Sequence, residues 1–142
     1  MVDAADLDGT EIRPEQAADH VAVTALVEAA FGQPAEARLV ERLRAEPATI
    51  GRVALVSGTV VGHVMASRVT GAAGPLAGRL VGVAPLAVAA AWRRRGIGAR
   101  LMAALLADLC AHGDRLVVLV GDLRYHARFG FVPATPLGIT CR

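Results

Sequence analysis

The sequence contains no lysine, since all fifteen of its basic residues are arginine. A Schiff-base mechanism and a Walker-type phosphate loop both require a lysine amine, so the composition excludes these two classes of enzyme. Most of the thirteen acidic residues lie before Pro47, whereas arginine dominates after it. This asymmetry predicts a positive field, and hence an anionic ligand, in the C-terminal half of the chain.

Cysteine is also scarce, and nothing in its placement indicates a metal site. Cys110 and Cys141 are the only two cysteines, and they have neither CxxC spacing nor a nearby cluster of metal ligands. His20, His63 and His112 have no other ligand type at metal spacing. We therefore expect reduced thiols without a catalytic role and histidines in structural or surface positions, and we assign no metal.

Long apolar runs are absent too. Gly, Pro or Arg interrupts every candidate before it reaches the roughly 18 residues that suggest a membrane span. Residues 1–13 contain four acidic side chains and lack the basic and apolar segments of a secretory signal. These absences predict a soluble cytoplasmic protein with no membrane partner.

Apolar residues, by contrast, are plentiful, at 54% of the 142 residues against 20% charged. At about 150 residues per domain, this composition predicts one domain with a single well-supplied core. The periodicity predicts the order β-α-α-β-β-β-α-β-α, an α/β or α+β fold in which helices flank a mixed sheet. Ser57-Gly58-Thr59 is typical of a hairpin connection. The first three predicted helices span 15–31, 35–44 and 96–112, and the predicted strands span 11–14, 52–56, 60–70, 80–88 and 116–120; the fourth predicted helix follows the last strand.

The most informative stretch is LAVAAAWRRRGIGARLM, residues 86–102, where an apolar strand enters a basic turn and then a helix. Gly96 and Gly98 let the first, unpaired helical amides approach a ligand, and the helix dipole favours an anion there. Guanidinium groups suit a diphosphate. The alternatives are an ordinary solvated basic loop, a dinucleotide turn and a nucleic-acid patch. Leu101 replaces the third glycine of a dinucleotide turn, and no aromatic or helix-turn-helix pattern supports nucleic acid.

Pro85 lies inside the apolar strand that precedes this turn. Proline cannot donate a ladder hydrogen bond, so the sheet is expected to be interrupted there. Unpaired backbone groups at residues 86–88 are then available to an amide-bearing ligand that pairs like an added strand. A simple bulge or an edge strand is the alternative interpretation.

Three ordered motifs give the chain a resemblance to a known family. Arg93-x-x-Gly96-x-Gly98 fits Gln/Arg-x-x-Gly-x-Gly/Ala, LAV at 86–88 fits the preceding strand, and YHARFGF at 125–131 fits an aromatic ahead of Gly-Phe. On these motifs the chain resembles the GNAT superfamily of N-acetyltransferases, and most closely a bacterial branch that reads PLAV, RGIG and GDxxYYxRFGF. The resemblance covers residues 10–142 and leaves residues 1–9 as a leader.

The resemblance implies a single-domain GNAT fold with a mostly antiparallel sheet and a splayed central strand pair. It implies acetyl-CoA as the acetyl donor and direct attack by the primary amine of a small molecule or peptide, without a covalent enzyme intermediate. Leu86, Ala87 and Val88 are expected to pair with the pantetheine amides, and the Leu86 N–H to donate to the thioester carbonyl. The residues expected to hold the pyrophosphate are Arg93, Arg94, Arg95, Gly96, Ile97, Gly98 and Ala99.

The family's proton donor, a tyrosine, is expected near the closing motif. Counting back four residues from Gly130 gives His126, and Tyr125 lies one residue earlier. Successive helical residues point about 100° apart, so only one of the two faces the thioester sulfur. Chemistry favours the phenol of Tyr125, which stays protonated at neutral pH, whereas register favours His126. We predict His126.

The chain departs from the family pattern in two further respects. Residues 80–88 contain no carboxylate, so ordered water or a residue elsewhere must remove the proton from the amine, and Glu28 and Glu36 are candidates. The family's final strand is expected after Thr140, where the sequence stops, so an exposed sheet edge and a homodimer are expected. The alternative function is an acyl-CoA sensor or partner-binding module without turnover.

Overall fold

The computed structural model describes residues 9–69, 80–112, 116–119 and 127–132. Two short 3-10 turns, Ala17–Asp19 and Ala90–Trp92, precede helices. The other elements, in chain order, are β1 Thr10–Pro14, α1 His20–Phe31, α2 Ala35–Arg44, β2 Ile50–Val56, β3 Thr59–Arg68, β4 Leu80–Val88, α3 Ile97–Ala111 and β5 Leu116–Leu119.

The five strands form one mixed sheet in the order β1-β2-β3-β4-β5. The pairs β1–β2, β2–β3 and β3–β4 are antiparallel, and β5 runs parallel to β4. A parallel pair needs a crossover connection, and α3 lies between these two strands in the chain. The expected α/β fold with a mostly antiparallel sheet is confirmed.

Helices cover both faces of the sheet. Because successive strand residues point to opposite faces, neighbouring residues of one strand pack against different helices. Val53 and Leu55 of β2 pack with α1 and α2, whereas Ala54 between them packs with α3. The α3 face contains Leu101, Met102 and Leu105, each with no exposed surface. The result is three layers, with the sheet between α3 and the pair α1 and α2.

Most predicted boundaries hold within two residues, but the first helix begins later than predicted. Glu15 extends β1 instead, since its backbone N–H donates to the Gly51 carbonyl at 2.9 Å. The Asp19 carboxylate then accepts from the Gln16 backbone N–H at 2.7 Å and from the Arg13 guanidinium at 2.7 and 2.9 Å. These bonds stabilise a 3-10 turn, so α1 starts at His20.

The predicted hairpin between β2 and β3 is confirmed. Ser57 and Gly58 both have positive φ, 50° and 78°. Two central residues with positive φ match the twist of antiparallel strands in a tight hairpin. This turn sets the pairing of Val56 with Thr59 at the start of the β2–β3 ladder.

A buried charged network joins the end of β1, the end of α2 and the middle of β3. The Arg44 guanidinium donates to the Glu15 carboxylate at 2.7 and 3.1 Å, and His63 Nε2 donates to its other oxygen at 3.1 Å. The His63 side chain has no exposed surface, and that of Glu15 is 7% exposed. Burial opposes ionisation, but the hydrogen bonds from His63 and Arg44 outweigh it and lower the pKa of Glu15.

Candidate active site

Within the part of the chain that the structure describes, the sheet opens beside the C-terminal half of β4. Val64 pairs with Leu86 and Ala66 with Val83, so Ala84 and Pro85 together lie opposite Met65 as a bulge. On the other side of β4, the described part of β5 ends at Leu119, opposite Val83. Among the described residues, 84–88 therefore have no strand partner on the β5 side. On the β3 side pairing resumes at Leu86, so the proline lies in a bulge, which is the alternative interpretation of this segment, and not at an interruption of the sheet.

The register determines which backbone groups face this opening. The Ala89 N–H donates to the Val61 carbonyl at 2.8 Å, which makes these two a hydrogen-bonded pair. Hydrogen-bonded and non-hydrogen-bonded pairs alternate along an antiparallel ladder. Ala87 is therefore bonded to His63 across the ladder, whereas the N–H and C=O groups of Leu86 and Val88 point away from β3. Two residues of the predicted pantetheine strand thus offer backbone groups to the opening, whereas Ala87 is 2% exposed and packs with α1 and α2.

The turn after β4 presents a second set of unpaired donors. Beyond the 3-10 turn Ala90–Trp92, Arg94 and Gly96 have φ of 64° and 83°. The first α3 amide with a helical acceptor belongs to Arg100, which bonds the Gly96 carbonyl at 3.1 Å, and no side chain caps the helix. The N–H groups of residues 97–99 are left without a helical acceptor at the positive end of the dipole, an arrangement that favours a phosphate.

The three consecutive arginines have different surroundings. Arg93 Nε donates to the Val88 carbonyl at 3.1 Å. The Arg95 guanidinium lies 4.8 Å from the centre of the Trp92 ring, within cation–π distance. Arg94 is exposed and borders the opening. The basic run therefore does not act as one uniform patch.

Residues at the end of β4 and in the turn that follows it line one cleft of about 540 Å³. Every residue predicted to bind the coenzyme borders it except Arg95. Ala30 and Phe31, at the end of α1, form the facing wall, and Phe31 is 42% exposed. Sequence reasoning missed this wall, although a lone aromatic at the end of an alanine-rich helix was a signal. The remaining lining residues are Leu86, Ala87, Val88, Trp92, Arg93, Arg94, Gly96, Ile97, Gly98, Ala99 and Arg128.

The acid and base candidates are less well placed in this cleft. Tyr125 and His126 lie outside the described residues. Glu28 is exposed on α1, and the Glu36 carboxylate accepts from Gln33 Nε2 at 2.6 and 3.0 Å, but neither lines the cleft. Of the described residues that line the cleft, only arginines have ionisable side chains.

Two general features bear on ligands and location. Within the described ranges, no three His, Cys, Asp or Glu side chains come together in a way that could hold a metal ion. The helices described are all too short or too polar to cross a membrane. Cys110 is a free, exposed thiol on α3, and Cys141 lies outside the described residues.

The bulged end of β4 and a glycine-bearing helix start bound this cleft, and these are the segments that carry two of the sequence motifs. The sequence model of the acetyltransferase (GNAT) family matches residues 20–131. The chain therefore belongs to the GNAT family of acetyltransferases, and the resemblance noted from its motifs is confirmed.

Individual relatives agree with this assignment. The chain is 37% identical over 133 residues to the uncharacterized N-acetyltransferase YhbS of Escherichia coli strain K12, covering 92% of this chain and 78% of YhbS. The crystal structure of Escherichia coli YhbS in complex with CoA has a TM-score of 0.84 at 35% identity and covers 94% of this chain and 74% of that one. A GNAT family acetyltransferase from Brucella melitensis in complex with acetyl-CoA has a TM-score of 0.80 at 35% identity, with coverage of 89% and 84%.

Proposed function

We propose that this acetyltransferase transfers the acetyl group of acetyl-CoA to a primary amine, and that both reactants meet in the cleft beside β4. One observation carries the proposal: the outward-facing backbone groups of Leu86 and Val88 and the unpaired amides that begin α3 border a single cleft. A ligand with amides at one end and a diphosphate at the other matches this pair of features. Coenzyme A has that composition, and the relatives of known structure bind it.

The residues present fit the coenzyme at both ends. Leu86 and Val88 each offer one donor and one acceptor on the open side of β4, as an amide-bearing chain requires. The diphosphate is assigned to the N–H groups of residues 97–99, where the helix dipole and the absent side chain of Gly98 allow close approach. Arg94 adds an exposed positive charge beside them.

Bound acetyl-CoA supplies an activated acetyl thioester, and the protein must orient it and manage charge and protons. We assign the Leu86 N–H to the thioester carbonyl, where a fixed donor stabilises the negative charge that develops on the oxygen as the amine attacks. His126 is proposed to protonate the departing thiolate, with Tyr125 as the alternative donor. No side chain of this chain needs to become acetylated on this route.

The amine is proposed to enter between β4 and the wall formed by Ala30 and Phe31. Phe31 offers an apolar surface there, so the acceptor is expected to present apolar groups near its amine. Of the described residues that line the cleft, none has a carboxylate or an imidazole, so we propose that ordered water takes the proton from the amine. The acceptor class remains a small molecule or a peptide, and a cytoplasmic location and a homodimer remain predictions.

An acyl-CoA sensor without turnover is the second candidate. The observation that favours it is the same lack of a carboxylate or imidazole among the described lining residues. Turnover distinguishes the two functions, because a sensor binds acetyl-CoA but releases no thiol when an amine is added.

Isothermal titration with acetyl-CoA tests the proposed site. We expect one coenzyme per chain, with ADP as a weaker competitor because it occupies only the diphosphate part. A short DNA or RNA oligonucleotide should bind weakly, and any such binding should fall steeply with salt, as counterion release requires. Absence of acetyl-CoA binding by the folded protein would remove the proposed function.

A further inference from the structure

Arg93 differs from the two arginines that follow it because its side chain is anchored on the sheet. Its Nε–H donates to the Val88 carbonyl at 3.1 Å. Arg95 lies instead over the Trp92 ring, at 4.8 Å. Only Arg93 therefore links the basic turn to the strand that precedes it through a side-chain hydrogen bond among the described residues.

The acceptor of this bond has a particular place in the sheet. Val88 is the last residue of β4, and its carbonyl points away from β3 because Ala87 and Ala89 are the hydrogen-bonded positions of the ladder. The carbonyl therefore faces the cleft side, where the described residues provide no strand partner. Arg93 satisfies it across the 3-10 turn Ala90–Trp92 and closes a short loop between strand and turn.

We propose that Arg93 is a positioning residue that fixes the strand half of the coenzyme site relative to the diphosphate half. This proposal rests on the proposed function. The Nε–H bond holds the plane of the Val88 peptide, and with it the direction of the Val88 N–H and C=O groups. A carbonyl has two lone pairs, so Val88 can still accept a ligand amide while Arg93 is bound.

This role separates two contributions of one side chain. The charge of Arg93 attracts any diphosphate, whether or not the ligand reaches β4. The Nε–H bond matters only for a ligand that contacts the strand and the turn together. Coenzyme A spans both parts of the site, and ADP reaches only the turn.

Two neutral substitutions isolate the Nε–H donor. In Arg93→Gln, the side-chain amide nitrogen stands the same number of bonds from Cβ as Nε does, so it can reach the Val88 carbonyl without the charge. In Arg93→Met, a methyl group takes that place, so donor and charge are both lost. Arg93 is exposed, so both variants should fold.

Calorimetric titration of both variants and the wild type with CoA and with ADP tests the proposal. Both variants should bind ADP equally, at a reduced affinity that reflects the lost charge. The Met variant should bind CoA about tenfold more weakly than the Gln variant, as expected for one backbone-directed hydrogen bond with a positioning role. Arg95→Gln and Arg95→Met, the matched control pair, should bind CoA equally, because Arg95 stacks on a ring.

Each contrary result has a distinct meaning. Equal CoA affinity of the Gln and Met variants of Arg93, with CoA binding by the wild type intact, would overturn the positioning role and leave the proposed function standing. The positioning role would also be overturned if the Met variant bound ADP more weakly than the Gln variant, as it does CoA. The difference between the variants would then not depend on contact between the ligand and the strand. A wild-type protein that binds no CoA would instead overturn the proposed function.

Discussion

At the residue scale, we expect Gly98 to be the most sensitive position in the part of the cleft that is proposed to hold the diphosphate. It lies in the first turn of α3, among amides without helical acceptors, and it borders the cleft. Gly98→Asp places a carboxylate where the diphosphate is expected, and like charges brought together cost several kcal/mol. We expect the affinity for acetyl-CoA to fall by about 100-fold, measured by calorimetry.

Gly98→Asn is the matched control, because it adds nearly the same bulk without the charge. It should weaken binding much less than Gly98→Asp does. Equal losses would mean that steric exclusion alone explains the effect, and an unchanged affinity in a folded Gly98→Asp variant would count against a diphosphate at this helix start.

His126 and Tyr125 test the assignment of the proton donor. We expect His126→Ala to lower turnover by about 10²–10⁴-fold, the usual contribution of a general acid, while acetyl-CoA affinity is retained. Tyr125→Phe should cost much less. Steady-state kinetics with a good amine acceptor would check this, and the reverse order of effects would identify the phenol of Tyr125 as the donor.

At the element scale, we expect the position of α3 on the sheet to set the geometry of the proposed diphosphate site. Gly62 of β3 lies under the first turns of α3, where an added Cβ would stand 2.9 Å from Leu101 Cδ1 and 3.1 Å from Ile97 Cγ2. Gly62→Ala therefore pushes the helix start outward. We expect a loss of about 1–3 kcal/mol in the free energy of unfolding, together with weaker acetyl-CoA binding.

Gly82→Ala provides the comparison within the same sheet. Its Cβ would stand 3.2 Å from Val69 Cγ2, in the part of β4 that pairs with β5 and away from the cleft. Urea unfolding should show a smaller loss, with acetyl-CoA affinity unchanged. If Gly62→Ala lowers stability but leaves binding intact, the position of α3 does not set the site.

The sequence predicts the bounds of an element well where several local signals mark the same residue. It predicts them less well where a tertiary contact determines where the element begins. Helix α2 has its predicted bounds, and residues of the turn at Gly96 and of the strand after Pro85 border one cleft, whose role as the coenzyme site stays a prediction. The start of α1 was misplaced, because Asp19 bonds to Gln16 and Arg13 and no local propensity reveals that pairing. Likewise, only the register with β3 distinguishes Ala87 from Leu86 and Val88, since their residue types do not.

At the scale of the whole molecule, stability should depend on the ionisation of Glu15. Its pKa lies below the ordinary value of 4.5 because hydrogen bonds from His63 and Arg44 outweigh the effect of burial. A lowered folded pKa means that the contribution is complete above about pH 4.5 and is lost as the pH falls through the lower folded value. The network should therefore stabilise the protein at neutral pH and fail in acid.

Glu15→Gln tests this prediction. Removing one partner of a buried ion pair typically costs about 3–5 kcal/mol, so we expect a loss of that order at pH 7 by urea unfolding. The difference from the wild type should be smaller in acid, at a pH well below 4.5, because the carboxylate of the wild-type Glu15 is increasingly protonated as the pH falls through its lowered folded pKa. Glu46→Gln, which alters an exposed carboxylate, is the control and should leave the free energy of unfolding unchanged at both pH values. A constant difference at both pH values would contradict the ionisation argument.

The proposed function depends on whether the protein transfers an acetyl group in this cleft. The most direct measurement is the release of CoA thiol from acetyl-CoA by the wild type, with and without a panel of small primary amines, peptides and aminoacyl compounds. We expect release that depends on the amine for at least one member of the panel, with formation of the acetylated amine, and a large loss of this activity in Gly98→Asp. Tight binding of acetyl-CoA without amine-dependent release across the panel would contradict the proposed function and favour a sensor.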